Sequence, residues 1–197
     1  MRWVSKKSTI GQAHRILFLL KFEEDFYEMK PREYMRYLLI GIGSLVGLGA
    51  CILVIGFLLP IEVTASRTAE LKASPAIVFQ TVTDVEKQTS WRKDVKTVKA
   101  QPNRDSWTEE TIDGVLIDFK VRRKEPPHRF EIEFVSNQGF SGSWVGIFTE
   151  SPKGTIVQIT ETVKISNPIF RVISRAFNLT DKLVDAYLSQ LKASVEN

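Results

Sequence analysis

The sequence predicts an α+β chain in which a curved, seven-stranded antiparallel sheet carries two short helices and one long C-terminal helix, all behind a single transmembrane helix. Three observations predict it: one uncharged apolar run, a succession of alternating segments separated by short turns, and a C-terminal stretch with apolar residues at helical spacing. The 197 residues suffice for one ordinary domain and an appendage. The expected division is an N-terminal cytoplasmic segment over 1–36, a membrane helix over 37–59 and a folded domain over 61–197.

The apolar run, "YLLIGIGSLVGLGACILVIGFLL", holds 23 residues and no charge. As a helix it would be about 35 Å long, against a hydrocarbon core of about 30 Å. The 36 residues before it, and the lack of a small-residue cleavage pattern after Leu59 and Pro60, favour an uncleaved anchor over a removed signal. Lys21, Lys30, Arg32 and Arg36 precede the run, whereas Arg67 and Lys72 follow it, which predicts a cytoplasmic N-terminus and an extracytoplasmic C-terminal domain. Gly43 and Gly47 make a GxxxG face, a candidate homodimer contact, although such spacings also arise by chance in glycine-rich membrane helices. Upstream, "AHRILFLLKFEEDFYEM" places Phe18, Phe22 and Phe26 at helical spacing. Two readings stand for it: an interfacial helix on the inner leaflet, or a helix packed on itself or a partner.

Beyond the anchor, "IEVTASRTAEL" alternates and reads as a first strand. In "ASPAIVFQTVTDVEKQTSW", Ser74 suits an N-cap and Pro75 a first helical turn, while Thr83 and Asp84 can cap a second short helix over 85–90. Six further strands are expected over 95–100, 106–112, 115–123, 129–135, 139–149 and 155–165. The separators "QPNRD", "DG", "EPPH", "NQG" and "SPKG" are short and rich in turn residues, which favours antiparallel hairpins. Asn167 and Pro168 then open a helix whose apolar positions include Ile169, Ile173, Phe177, Val184, Leu188 and Leu191.

Charge and composition exclude several chemistries. The net charge is +4, with 8 Lys/Arg against 5 Asp/Glu up to Arg36 and 19 against 18 afterwards, so nucleic-acid binding has little support. One cysteine, Cys51, allows no intramolecular disulfide, and two distant histidines, His14 and His128, suggest no metal cluster. No phosphate loop and no nucleophile with a nearby base is visible, so no catalytic residue, metal ligand or cofactor is assigned.

The order strand, two short helices, six strands and a long C-terminal helix resembles the START-like helix-grip superfamily, with its polyketide cyclase/dehydrase-like and coenzyme Q-binding members. "ASPAIVFQTVTDVEKQTSW" is similar to that family's pattern of a strand, a small residue and proline, an aromatic, then Asp and Trp. The resemblance covers roughly residues 61–194. It implies a cavity for an apolar ligand between sheet and C-terminal helix. In "GFSGSWVGIF", Phe140, Trp144 and Phe148 share a strand face with Gly142 and Gly146, which leaves room either for a ligand or for another side chain.

Phe119 lies on the apolar face of "VLIDFKVRR" and joins this candidate binding set. Glu161, in phase with Val157, Ile159 and Val163, and Tyr187 on the closing helix are its candidate polar groups; the alternative for Glu161 is a bulged, solvated strand. The expected partners are a hydrophobic small molecule, such as a lipid or quinone, and the bilayer. Two other readings stand: a cyclase or dehydratase in which Glu161 or His128 handles a proton, and a protein-interaction module at the membrane.

Overall fold

The computed structural model describes residues 30–102 and 105–196. Residues 13–29, with Phe18, Phe22 and Phe26, lie outside the described residues. The chain forms two units, Met1–Cys51 and Ile52–Asn197. Within the first, the described residues are almost entirely helical and belong to α1 (Pro31–Leu58), which runs on into the second unit. Pro31 supplies a first-turn residue without an amide to satisfy, so the helix starts ahead of the uncharged run. α1 is long and apolar enough to cross a bilayer. A Cβ at Gly43 or Gly47 would meet open space.

The second unit holds β1 (Glu62–Leu71), α2 (Pro75–Thr83), a 3-10 helix (Val85–Ser90), β2 (Val95–Ala100), β3 (Ser106–Thr111), β4 (Leu116–Glu125), β5 (Arg129–Ser136), β6 (Phe140–Ser151) and β7 (Gly154–Ile165). Two helices end it, α3 (Pro168–Phe177) and α4 (Leu179–Glu196). All seven strands pair antiparallel in the order β1-β7-β6-β5-β4-β3-β2. The turn-rich separators therefore do make consecutive hairpins from β2 to β7. β1 lies at the opposite edge from β2, so α2 and the 3-10 helix carry the chain across the sheet. That crossing explains the two short helices in place of one rod. Ser74 occupies the N-cap of α2, but its side chain makes no capping bond; Asp84 instead pairs with Lys87 at 2.7 Å.

The main core joins α2 and α4 to the inner sheet face. Val78, Phe79 and Val82 of α2 and Val184, Leu188 and Leu191 of α4 are buried against Leu71, Phe148, Val157 and Ile159. Phe79 meets Phe148 edge-on at 5.7 Å between ring centres and Phe130 at 6.4 Å. A smaller cluster, Phe134, Val163 and Ile165, forms a separate apolar group, with Ile117, Phe119 and Phe140 against it.

The C-terminal stretch departs from a single rod. Asn167 caps α3 as expected, accepting from the amides of Ile169 at 2.9 Å and Phe170 at 3.3 Å. Asn178 is left-handed, with φ 50° and ψ 47°, and ends α3, so the long helix proper is α4. Asn tolerates this conformation better than most residues, which is why the break falls there. The two helices also expose different faces. α3 turns Arg171 and Ser174 inward and leaves Ile169, Phe170, Ile173 and Phe177 exposed, so its apolar stripe does not cover the sheet. Arg171 is 7% exposed, and its guanidinium donates to the carbonyls of Ile165 and Ser166, both at 2.8 Å, and of Gly56 at 2.9 Å. The last of these is a free carbonyl at the end of α1, a site that favours a cation. Gly56 is required there, because a Cβ would run into the Pro168 carbonyl.

Candidate functional site

A cavity of about 340 Å³ is lined by residues of both the main core and the smaller apolar cluster. Its walls come from the inner face of β3–β7 and from one side of α4. Phe119 lies parallel to Trp107 with 5.0 Å between ring centres and tilts against Phe134 at 5.8 Å. Trp144 reaches Phe130 at 6.4 Å and Tyr187 at 5.5 Å, both edge-on. These rings give a rigid apolar lining with little rotamer freedom.

One end of the cavity is polar. Arg92, from the loop after the 3-10 helix, enters it and donates from Nη1 to both Glu109 oxygens, at 3.1 and 2.9 Å, and to Gln88 Oε1 at 2.7 Å. Nη2 donates to Asp94 at 2.5 Å. Glu109 is 1% exposed and also accepts from Trp107 Nε1 at 2.9 Å. The buried carboxylate is thus satisfied on both oxygens, the condition under which such a charge is tolerated. Burial alone would lower the Arg92 guanidinium; the charge of Glu109 and the hydrogen bond to Asp94 more than offset it, and it is held above its ordinary value. The same guanidinium carbon lies 5.7 Å from the centre of the Tyr187 ring.

Glu161 faces this end without a bulge, since β7 keeps continuous register with β6 and β1 through Trp144↔Glu161 and Ala65↔Glu161. Its side chain accepts no hydrogen bond among the described residues and lines the cavity. Burial pushes its carboxyl up to about 7, with Arg92 pulling it down and Asp94 adding to the rise. The Tyr187 hydroxyl is raised as well, chiefly by burial, and it too makes no hydrogen bond among the described residues. A carboxyl and a phenol therefore line an apolar cavity with hydrogen-bonding capacity unspent.

Five of the six residues expected from sequence line the cavity: Phe119, Phe140, Trp144, Glu161 and Tyr187. Phe148 does not; it is 1% exposed and completes the core against Phe79. The glycine argument also shifts. A Cβ on Gly146 would lie 2.5 Å from the Trp144 ring and 2.9 Å from the Phe148 ring, so those rings take up the space. Phe134 similarly covers Gly142. His128 is exposed in the β4–β5 turn and is not a lining residue. Sequence reasoning missed the Arg92–Glu109 pair. Its signal was present: in "SWTEET", Glu109 shares the strand phase of Trp107, a charge on an inward face.

The fold and this aromatic cavity define a START-like protein of the helix-grip class. The chain belongs to the family of polyketide cyclase/dehydrase and lipid transport proteins, which matches residues 61–196. A search among curated proteins finds no match. Solved structures of similar fold include a START superfamily protein from Mycobacterium smegmatis, 16% identical over 68% of this chain and 97% of that one, with a TM-score of 0.55. A conserved protein from Geobacillus kaustophilus is 14% identical over 68% and 95%, with a TM-score of 0.56. An uncharacterized protein from Rhizobium leguminosarum is 18% identical over 68% and 95%, with a TM-score of 0.52.

Proposed function

We propose that the chain is a membrane-anchored binding protein for a hydrophobic small molecule, a lipid, quinone or similar compound, held between sheet and α4. The observation that carries the reading is the cavity itself: aromatic walls ending at Glu161 and Tyr187, two polar groups with free hydrogen-bonding capacity. Apolar walls with a few convergent polar groups bind apolar ligands that carry one oxygen function. Near neutral pH Glu161 is divided between its two forms, so it can donate to a carbonyl or accept from a hydroxyl. α1 supplies the anchor, with the N-terminus cytoplasmic and the domain extracytoplasmic; Gly43 and Gly47 offer a face for a second copy.

The test is recovery of ligand from the full-length protein. Organic extraction followed by mass spectrometry should release a hydrophobic compound from the native chain, and much less of it from Ile117→Trp, which fills the cavity. Equal recovery from both, with melting unchanged, would place the compound outside the cavity and end the reading.

A second reading, proton transfer of the cyclase or dehydratase kind, has one observation in its favour, the carboxyl held near 7 beside Tyr187. On that reading Glu161→Gln abolishes turnover of the bound compound while leaving it bound; intact turnover would remove Glu161 as the acid.

A further inference from the structure

We infer that α3 is an interfacial helix whose exposed apolar face, Ile169, Phe170, Ile173 and Phe177, is seated on the same bilayer that α1 crosses. The inference rests on reading α1 as a membrane span. The helix is amphipathic with its polar side turned to the protein: Arg171 and Ser174 are buried, while the four large apolar residues are 39–59% exposed. In water such an arrangement leaves four large side chains hydrated for no structural return. A lipid surface removes that cost, because an interfacial helix buries its apolar face about 5–10 Å into the headgroup boundary.

The position of α3 selects the bilayer as the occupant. Arg171 donates to the Gly56 and Leu59 carbonyls, at 2.9 and 3.5 Å, and the Pro168 backbone packs directly on Gly56. α3 is therefore clasped to the last turn of α1, where Ile55, Phe57 and Leu58 are themselves 50–80% exposed. A lipid phase that solvates those three residues meets the apolar face of α3 within about one helix diameter, roughly 10 Å. The apolar surface continues over the elbow to Leu179 and Leu183, which are exposed; Leu183 also lines the cavity.

The experiment uses the full-length chain with Cys51→Ser, reconstituted in phosphatidylcholine vesicles containing spin-labelled lipid. Single cysteines carrying an environment-sensitive fluorophore replace Phe170 and Phe177 on α3, Leu45 within α1, and Lys153 in the β6–β7 turn, at the far end of β7 from α3. Quenching at 170 and 177 several-fold above that at 153, strongest with the spin label near the headgroup, is the expected result. Quenching at 45 by a deep spin label with none at 170 or 177 overturns the docking of α3 and leaves the span standing. Absence of quenching at 45 overturns the span itself. A label at 170 shielded from lipid and from an aqueous quencher alike would show a protein partner on this face and also overturn the inference.

Discussion

Glu161 illustrates how one strand position can carry both a cost and a use. Its neighbours in phase, Val157, Ile159 and Val163, are buried, and its register is unbroken, so backbone geometry alone directs the carboxyl inward. Because burial raises the folded-state value to about 7, the favourable state is the protonated one. Stability from this group is fully present below about 4.5, the ordinary glutamate range, and is lost as pH rises through 7. Glu161→Gln should abolish that slope, a difference worth at most about 3 kcal/mol at alkaline pH, less where cavity water solvates the carboxylate. Melting temperature against pH for both proteins decides it; parallel curves would mean that Glu161 is solvated. Glu109, by contrast, is already paired with Arg92. Glu109→Ala strands Arg92 in the interior and should cost about 3 to 5 kcal/mol in denaturant unfolding, whereas a loss below 1 kcal/mol would show that Asp94 and Gln88 suffice alone.

At the scale of elements, alternation and turn chemistry made the sheet legible. "VLIDFKVRR" and "SPKG" specify a face and a hairpin by local rules, and β4 and the β6–β7 turn follow them. The Asn167 cap was equally readable, because a short polar side chain before Pro168 has one obvious use. What local rules could not say is which way a helical stripe faces. Periodicity in "NPIFRVISRAF" finds an amphipathic helix, yet an apolar stripe is satisfied by a sheet or by a lipid surface, and the choice depends on the distant carbonyl of Gly56. The Arg92–Glu109 pair was hidden for a related reason: each charge is unfavourable alone, and their separation along the chain conceals the partner. Gly146 shows the third limit, since alternation gives the face of Trp144 but not the rotamer that folds its ring over the glycine.

Two predictions belong to elements. Arg171→Leu leaves the carbonyls of Gly56, Ile165 and Ser166 without their donor and should destabilise the junction by about 3 kcal/mol or more. Faster amide exchange localised around residues 56–61 and in α3 is the readout; unchanged exchange there would show that the clasp is dispensable. Asn178→Ala forces an ordinary side chain into the left-handed region at a cost of about 1 kcal/mol, while Asn178→Gly should be nearly neutral. Equal effects of the two on unfolding would mean that the elbow relaxes.

For the whole molecule, the family and fold follow from the order of elements, and on the proposed reading α1, as an anchor, sets the compartment. A reporter active only in the cytoplasm, fused after Asn197, should be silent, because the positive residues before α1 favour the inside. Activity there would reverse the topology and put the domain in the cytoplasm.

α1 ends at Leu58 and β1 begins at Glu62, so residues 59–61 carry the chain from one to the other. Three residues reach at most about 10 Å, so the domain has almost no leash. Proteins that ferry apolar cargo between compartments need to let go of one surface and diffuse to another. On the proposed reading, with α1 set in a bilayer, this domain is a fixed berth: a cargo it accepts leaves sideways into the same leaflet, or into a visitor that docks from the aqueous side.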